Sequence, residues 1–300
     1  MTRSSNLRAI LAMVVSMGSF VASDSCMKLA LPHAPLFELM LMRGLVSLAV
    51  CLGLILAMGQ QSSIHRMFDK WLVARGVLET VANLSFIFAL GFIAIADLTA
   101  IVQTCPLFVL LGAWAFRGER LGGQRLFLIL LGIAGAMLVA QPGTGAVSPL
   151  ASLAFLTAIA SAVRDLLTPN VPRGMPPLVA ALTVIVVLTL TGLLGMLTLE
   201  TPIVPGSREI LLMVVSGTMA VSGHLLLYLT YRMGEARTVA PFMYTLTLWA
   251  VLSGLIVFGE VPNRLAIAGM VLVALAGLAI IWLDGRQRKA AAQAAVAVEA

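Results

Sequence analysis

Ten apolar runs, each of about 18–24 residues and parted by short polar breaks, constrain this chain more than anything else in it. They lie at 8–31, 36–58, 71–91, 97–116, 124–141, 149–167, 177–199, 208–231, 237–258 and 264–283. A helix needs about 20 apolar residues to cross roughly 30 Å of hydrocarbon. In lipid every backbone polar group must find a partner inside the protein, so only helices or closed barrels can span. Barrel strands would alternate apolar and polar over about ten residues, and these runs are apolar on all sides. The expected fold class is therefore all-α: a membrane protein of ten transmembrane helices. Only 11% of residues are charged, against roughly a quarter in soluble proteins.

Arg3 and Arg8, an apolar stretch and then Val21-Ala22-Ser23 have the outline of a signal peptide. The apolar run continues to Leu31, however, and cleavage would leave nine spans and an unpaired half. Cys26, Cys51 and Cys105 all fall inside apolar runs and read as packing residues, with no disulfide or metal spacing. The Ala-rich tail at 286–300 carries Arg286, Arg288 and Lys289, and no function is assigned to it.

A net charge of +6 and a pI near 9.8 would suggest a nucleic-acid partner until the charges are placed. With the N-terminus inside, the inner loops and helix ends hold 15 of the 19 Lys and Arg, Arg75 and Arg164 among them. Only Lys28, Arg43, Arg208 and Arg264 fall in the outer half. Such asymmetry sets orientation, so both termini are expected in the cytoplasm of a bacterial inner membrane, with no nucleic-acid partner.

The chain also repeats itself. Gly118-Glu119, in FRGERLGG (116–123), and Gly259-Glu260, in VFGEVPNR (257–264), lie 141 residues apart. AIADLTAIVQTCPLF (94–108) matches MGEARTVAPFMYTLT (233–247) at a similar offset. A duplicated unit with an odd number of spans inserts in opposite orientations, so five plus five gives inverted repeats, with a binding site expected near the midplane. The units are drawn at 1–145 and 146–285, followed by the tail.

At these residues the chain resembles the EamA-type members of the drug/metabolite transporter superfamily. The likeness covers 8–283 and is better in the first half, where SDSCMKLALPHAP (23–35) leads into LMRGLVSL (41–48). The resemblance implies ten helices around a central cavity, alternating access, and amino acids, other metabolites, drugs or nucleotide-like compounds as substrates. It does not imply which substrate or direction.

Ionisable residues inside a span are costly and tend either to pair or to mark a pathway. Glu79 lies about 12 Å into its span and Arg43 sits within about 8 Å of the same depth. A Glu79–Arg43 ion pair that fixes packing competes with a proton or substrate-amine site. Asn83 shares a face with Glu79, and His224 with Tyr228 and Tyr231, so these are expected cavity walls. A packing hydrogen bond is the competing reading for His224. Thr99, Gln103 and Pro106 are expected on one helix face, and Tyr244 and Trp249 in a pocket or in the core. Asp24 and Lys28, four apart, read as a local ion pair or an outer gate. The Gly-Glu turns read as structural, and Gly132 with Ala136 as a close helix contact.

No zinc motif, no usable Ser-His arrangement and no GxxxxGK[ST] loop is present. An intramembrane enzyme or a channel is thus disfavoured, and no cofactor or metal is expected. The expectation is a secondary transporter exporting amino acids or related compounds, with the bilayer, the small-molecule substrate and a proton as coupling ion for partners. Uptake or exchange of a nucleoside-like or other polar metabolite is the alternative.

Overall fold

The computed structural model describes residues 3–118, 122–140, 150–172, 174–233 and 236–299, the backbone alone at 3–6, 117, 236–237, 284 and 287–299. Glu119, Gly234, Glu235 and the expected 145/146 boundary lie outside the described residues, as do the side chains of 287–299. Ten helices are long and apolar enough to span a membrane, and no strand occurs among the described residues. Spans one to five are Leu7–Ala30, Leu36–Ala57, Lys70–Leu90, Ile95–Phe116 and Gly123–Ala140. Spans six to ten are Ala151–Asn170, Pro177–Leu199, Ser207–Met233, Ala240–Phe258 and Arg264–Leu283. No end departs from the sequence expectation by more than three residues (167 against 170, and 237 against 240). The helix of span ten runs on to Glu299, so part of the expected tail is helical.

Local chemistry sets the ends. Asp69 Oδ1 accepts from the Trp71 and Leu72 amides at 2.9 and 3.3 Å and starts span three. Asn263 Oδ1 does the same for Ala266 at the start of span ten, at 2.8 Å. Gly118 and Gly259 end spans four and nine at φ +65° and +66°, a left-handed conformation that only glycine adopts cheaply.

Spans four and nine are interrupted: Thr99 and Gln103 stay one helical turn apart, the Gln103 amide donating to Thr99 O at 3.0 Å, while Pro106 belongs to the next helix. A helix from Ile95 to Val102 stops at a turn at Gln103 and Thr104, and a second helix starts at Cys105 with Pro106 in its first turn. In span nine Pro241 sits in a 3-10 segment, Ala240–Tyr244, before the helix Thr245–Ser253. Proline lacks the amide that would continue a ladder, and groups released in lipid must be satisfied elsewhere. Thr104 donates its hydroxyl to Ile101 O at 2.6 Å, and Gln103 Nε2 donates to Met243 O at 3.3 Å. The two breaks are thereby tied to each other.

Packing follows a regular scheme. Span one lies on eight and span six on three, span two on eight and span seven on three, and span one on nine and span six on four. Spans two and seven, five and ten, and four and nine pack on each other. Exchanging each span for the one five places later maps these pairs onto themselves. Spans five and ten meet through glycine: a Cβ on Gly135 would stand 2.9 Å from Gly269 O. Gly132, expected at a close contact, faces Leu107 and Ala276 in the same seam. The largest buried apolar cluster, including Met27, Leu39, Leu90, Ile95 and Leu98, fills one end of the bundle. At the other end is a cavity.

Candidate functional site

A cavity of about 950 Å³ runs from Pro172, Met175 and Leu178, at the mouths of spans three, six, seven and eight, inward to Met40 and Ile87. Spans two, three, six, seven and eight wall it, and the size suits a metabolite or drug-sized ligand.

Span three contributes a polar stripe. Arg75, Glu79 and Asn83 recur every four residues, so they share a face, and all three line the cavity. Glu79 does not pair with Arg43. Its Oε2 accepts from Arg164 Nη1 on span six, and its Oε1 accepts from Asn83 Nδ2 at 3.2 Å. Arg164 also turns onto its neighbour Asp165, with Nε and Nη2 at 2.9 and 2.8 Å from Oδ1. One guanidinium therefore holds two carboxylates. Arg43 reaches Asp24 instead, at 3.8 Å. Equal depth along two helices permitted the Glu79–Arg43 pairing, but span six, packed directly on span three, supplies the nearer cation.

Span eight brings His224, Tyr228 and Tyr231 to the same cavity. His224 Nδ1 lies 2.8 Å from Ala220 O, and its ring stands edge-on to Phe20 at 4.9 Å. Its other nitrogen is not engaged in that bond.

Three expected wall residues lie elsewhere. Gln103 bridges the two broken spans. Tyr244 presses its hydroxyl end against Gly277 of span ten, where no side chain stands in the way. Trp249 lies over Gly18 of span one and donates its indole N–H to Val14 O at 3.0 Å. Glycines on the neighbouring spans leave room for both rings.

The Asp24–Lys28 pair is also replaced. Lys28 Nζ donates to Glu260 Oε1 at 2.5 Å and to Ile93 O at 2.8 Å. Glu260 Oε2 accepts the Ile95 amide at 3.1 Å, capping span four. The second Gly-Glu turn thus ties spans one, four and nine together across the end opposite the cavity. Its carboxylate serves a neighbouring helix, because Gly259 turns the chain back over the start of span four. Glu200 caps span two in a similar way, accepting from the Phe37 and Glu38 amides at 3.0 and 3.1 Å.

Arg75, Arg164 and Asp165 were not singled out from sequence. Counting the two arginines as end charges hid them, although Arg75 stands one turn before Glu79 and Arg164-Asp165 interrupts an apolar run.

Residues 7–141 match the model of the EamA-like transporter family. A riboflavin transporter of Rhizobium johnstonii is 28% identical over 72% of each chain. The pseudopaline exporter CntI of Pseudomonas aeruginosa is 24% identical over 90% of this chain and 95% of its own. An S-adenosylmethionine uptake transporter of Rickettsia bellii is 25% identical over 90% and 92%. A crystal structure covering 96% of this chain and 99% of its own superposes with a TM-score of 0.63 at 19% identity, a likeness of fold. These relatives are named for transport and not for catalysis.

Proposed function

We propose that this chain, an EamA-type member of the drug/metabolite transporter superfamily and so a multi-pass small-molecule transporter, is a secondary transporter that exports amino acids or related compounds by alternating access. The observation that carries the reading is a charged cavity reaching one end of the bundle, with the other end closed by the Lys28–Glu260 tie and the apolar core around it. Alternating access requires that asymmetry, together with a tie that can be released when the opposite face opens. The packing scheme supports two inverted repeats, residues 1–145 and 146–285, with the cavity between them.

Orientation follows from charge. The cavity mouth lies where Arg66, Lys70, Arg75 and Arg232 cluster, so it faces the cytoplasm, with both termini on that side. A cavity in that position loads from the cell interior, which favours export. Glu79 and Asp165 supply the negative charge and Arg75 and Arg164 the positive charge that an amino acid needs. A proton is the proposed coupling ion. Tyr228, Tyr231 and His224 favour a second reading, uptake or exchange of a compound with a flat ring.

Expression of wild type and Glu79→Gln at equal membrane levels, followed by mass spectrometry of the medium, tests the proposal. A zwitterionic compound accumulating outside with wild type alone is the expected result. Depletion of a compound from the medium turns the reading to uptake. Identical media from wild type and empty vector overturn export.

A further inference from the structure

The charges at the cavity are not evenly partnered. Arg164 holds both Glu79 and Asp165, leaving that trio with one excess negative charge. Arg43 is matched by Asp24. Arg75 makes no ion pair and no hydrogen bond among the described residues, and its Nε is buried without a partner. An unsatisfied guanidinium nitrogen is expensive to keep out of water, and more so within a membrane span. Arg75 sits about 7.5 Å into span three, one turn from Glu79 on the same face. Its charge neighbours are all on the cavity wall: Glu79 on its own span, and Arg164 and Asp165 on span six.

We propose that Arg75 is the carboxylate-binding residue of this cavity and that the trio of Arg164, Glu79 and Asp165 receives the ammonium group of the same substrate, which is an amino-acid zwitterion. The assignment rests on the transporter reading, narrows its amino acids and related compounds to the zwitterion, and adds a residue that binds the substrate directly. A planar guanidinium presents paired donors that match the two oxygens of a carboxylate. The trio's excess negative charge draws a cation. The four side chains together are neutral, so a zwitterion enters without leaving net charge in a low-dielectric space, whereas a phosphate dianion would leave two. Ala181 of span seven lines the same cavity and offers a reporter position.

The test uses the full chain with Cys26, Cys51 and Cys105 replaced by alanine and Ala181→Cys introduced, reconstituted in liposomes. Modification rates are measured with an anionic and a cationic methanethiosulfonate reagent, each normalised to a free thiol. The expected result is that Arg75→Gln lowers the anion-to-cation rate ratio severalfold, and that Arg75→Lys leaves it near the parent value. Labelling is then repeated with an excess of the twenty amino acids or of their amides, which keep the ammonium but lack the carboxylate. Amino acids slow labelling of the parent, amides do not, and both Arg75 variants lose the protection by about tenfold, the effect of one charge-assisted hydrogen bond. Should Arg75→Gln fail to fold, Arg75→Lys still separates charge from fork geometry by keeping the ratio and losing the protection. An unchanged ratio in Arg75→Gln, protection by the amides equal to that by amino acids, or no protection by either overturns the assignment. Arg75-dependent protection without any export would sink the transport reading and leave the site standing. Export that is indifferent to Arg75 would do the reverse.

Discussion

Arg164 settles more at this site than any other side chain. It is one cation against two carboxylates, on a span whose neighbour carries Glu79. Removing a single partner from such a set leaves charge unmatched, whereas removing both is far cheaper. Arg164→Gln is therefore expected to lower the melting temperature in detergent, by the equivalent of about 1–3 kcal/mol. Glu79→Gln in the Arg164→Gln background should restore most of that loss. A double variant no better than the single one would mean that Glu79 and Arg164 do not compensate each other. Glu79 lines the cavity together with Asn83, and the face they share follows from helix periodicity. The partner of Glu79 was not legible, since depth along a helix says nothing of which neighbour lies alongside.

Helix contacts carry two further expectations. Spans five and ten approach so closely that a Cβ on Gly269 would overlap the carbonyl of Gly135 and crowd Val139. Gly269→Ala should destabilise the protein by about 1–3 kcal/mol through overpacking. Gly53, within span two, has nothing within 4 Å of an added Cβ. Gly53→Ala should be neutral or stabilising by up to about 1 kcal/mol, since alanine loses less backbone entropy in a helix. Paired thermal-shift curves check the contrast, and equal effects would contradict the packing. Glu260 acts across elements in another way, holding Lys28 and the Ile95 amide at the closed end. Glu260→Gln keeps the shape but loses the ion pair, so a thiol placed at Ala96, buried behind that tie, should label faster from the side opposite the cavity mouth. Unchanged labelling would show that the apolar core alone keeps that end shut. The interruptions of spans four and nine were not read from the sequence, which put Pro106 on one helix face with Thr99 and Gln103. The two breaks meet through the Gln103–Met243 bridge, a contact between spans.

For the molecule as a whole, the proposed topology of ten spans has both ends of the chain in the cytoplasm, as the Lys and Arg bias favours. Reporter fusions at Ala300 and in the 59–69 loop should both read inside, while a fusion in the 200–206 loop should read outside. Fusions at Ala300 and in the 59–69 loop that disagree would mean that a span is missing or is not inserted. Span number and span ends could be read directly from the residues, because a bilayer imposes one length and one polarity on every crossing segment. Which spans touch was decided by tertiary structure, and with it the fate of each candidate. Tyr244 and Trp249 lie against Gly277 and Gly18, while Arg75 and Arg164 came to the cavity because spans three and six pack together there. The physical reason is that hydropathy is a property of one segment, set by lipid. A partner for a charge or a hollow for a ring is a property of two segments, and it exists only after they pack.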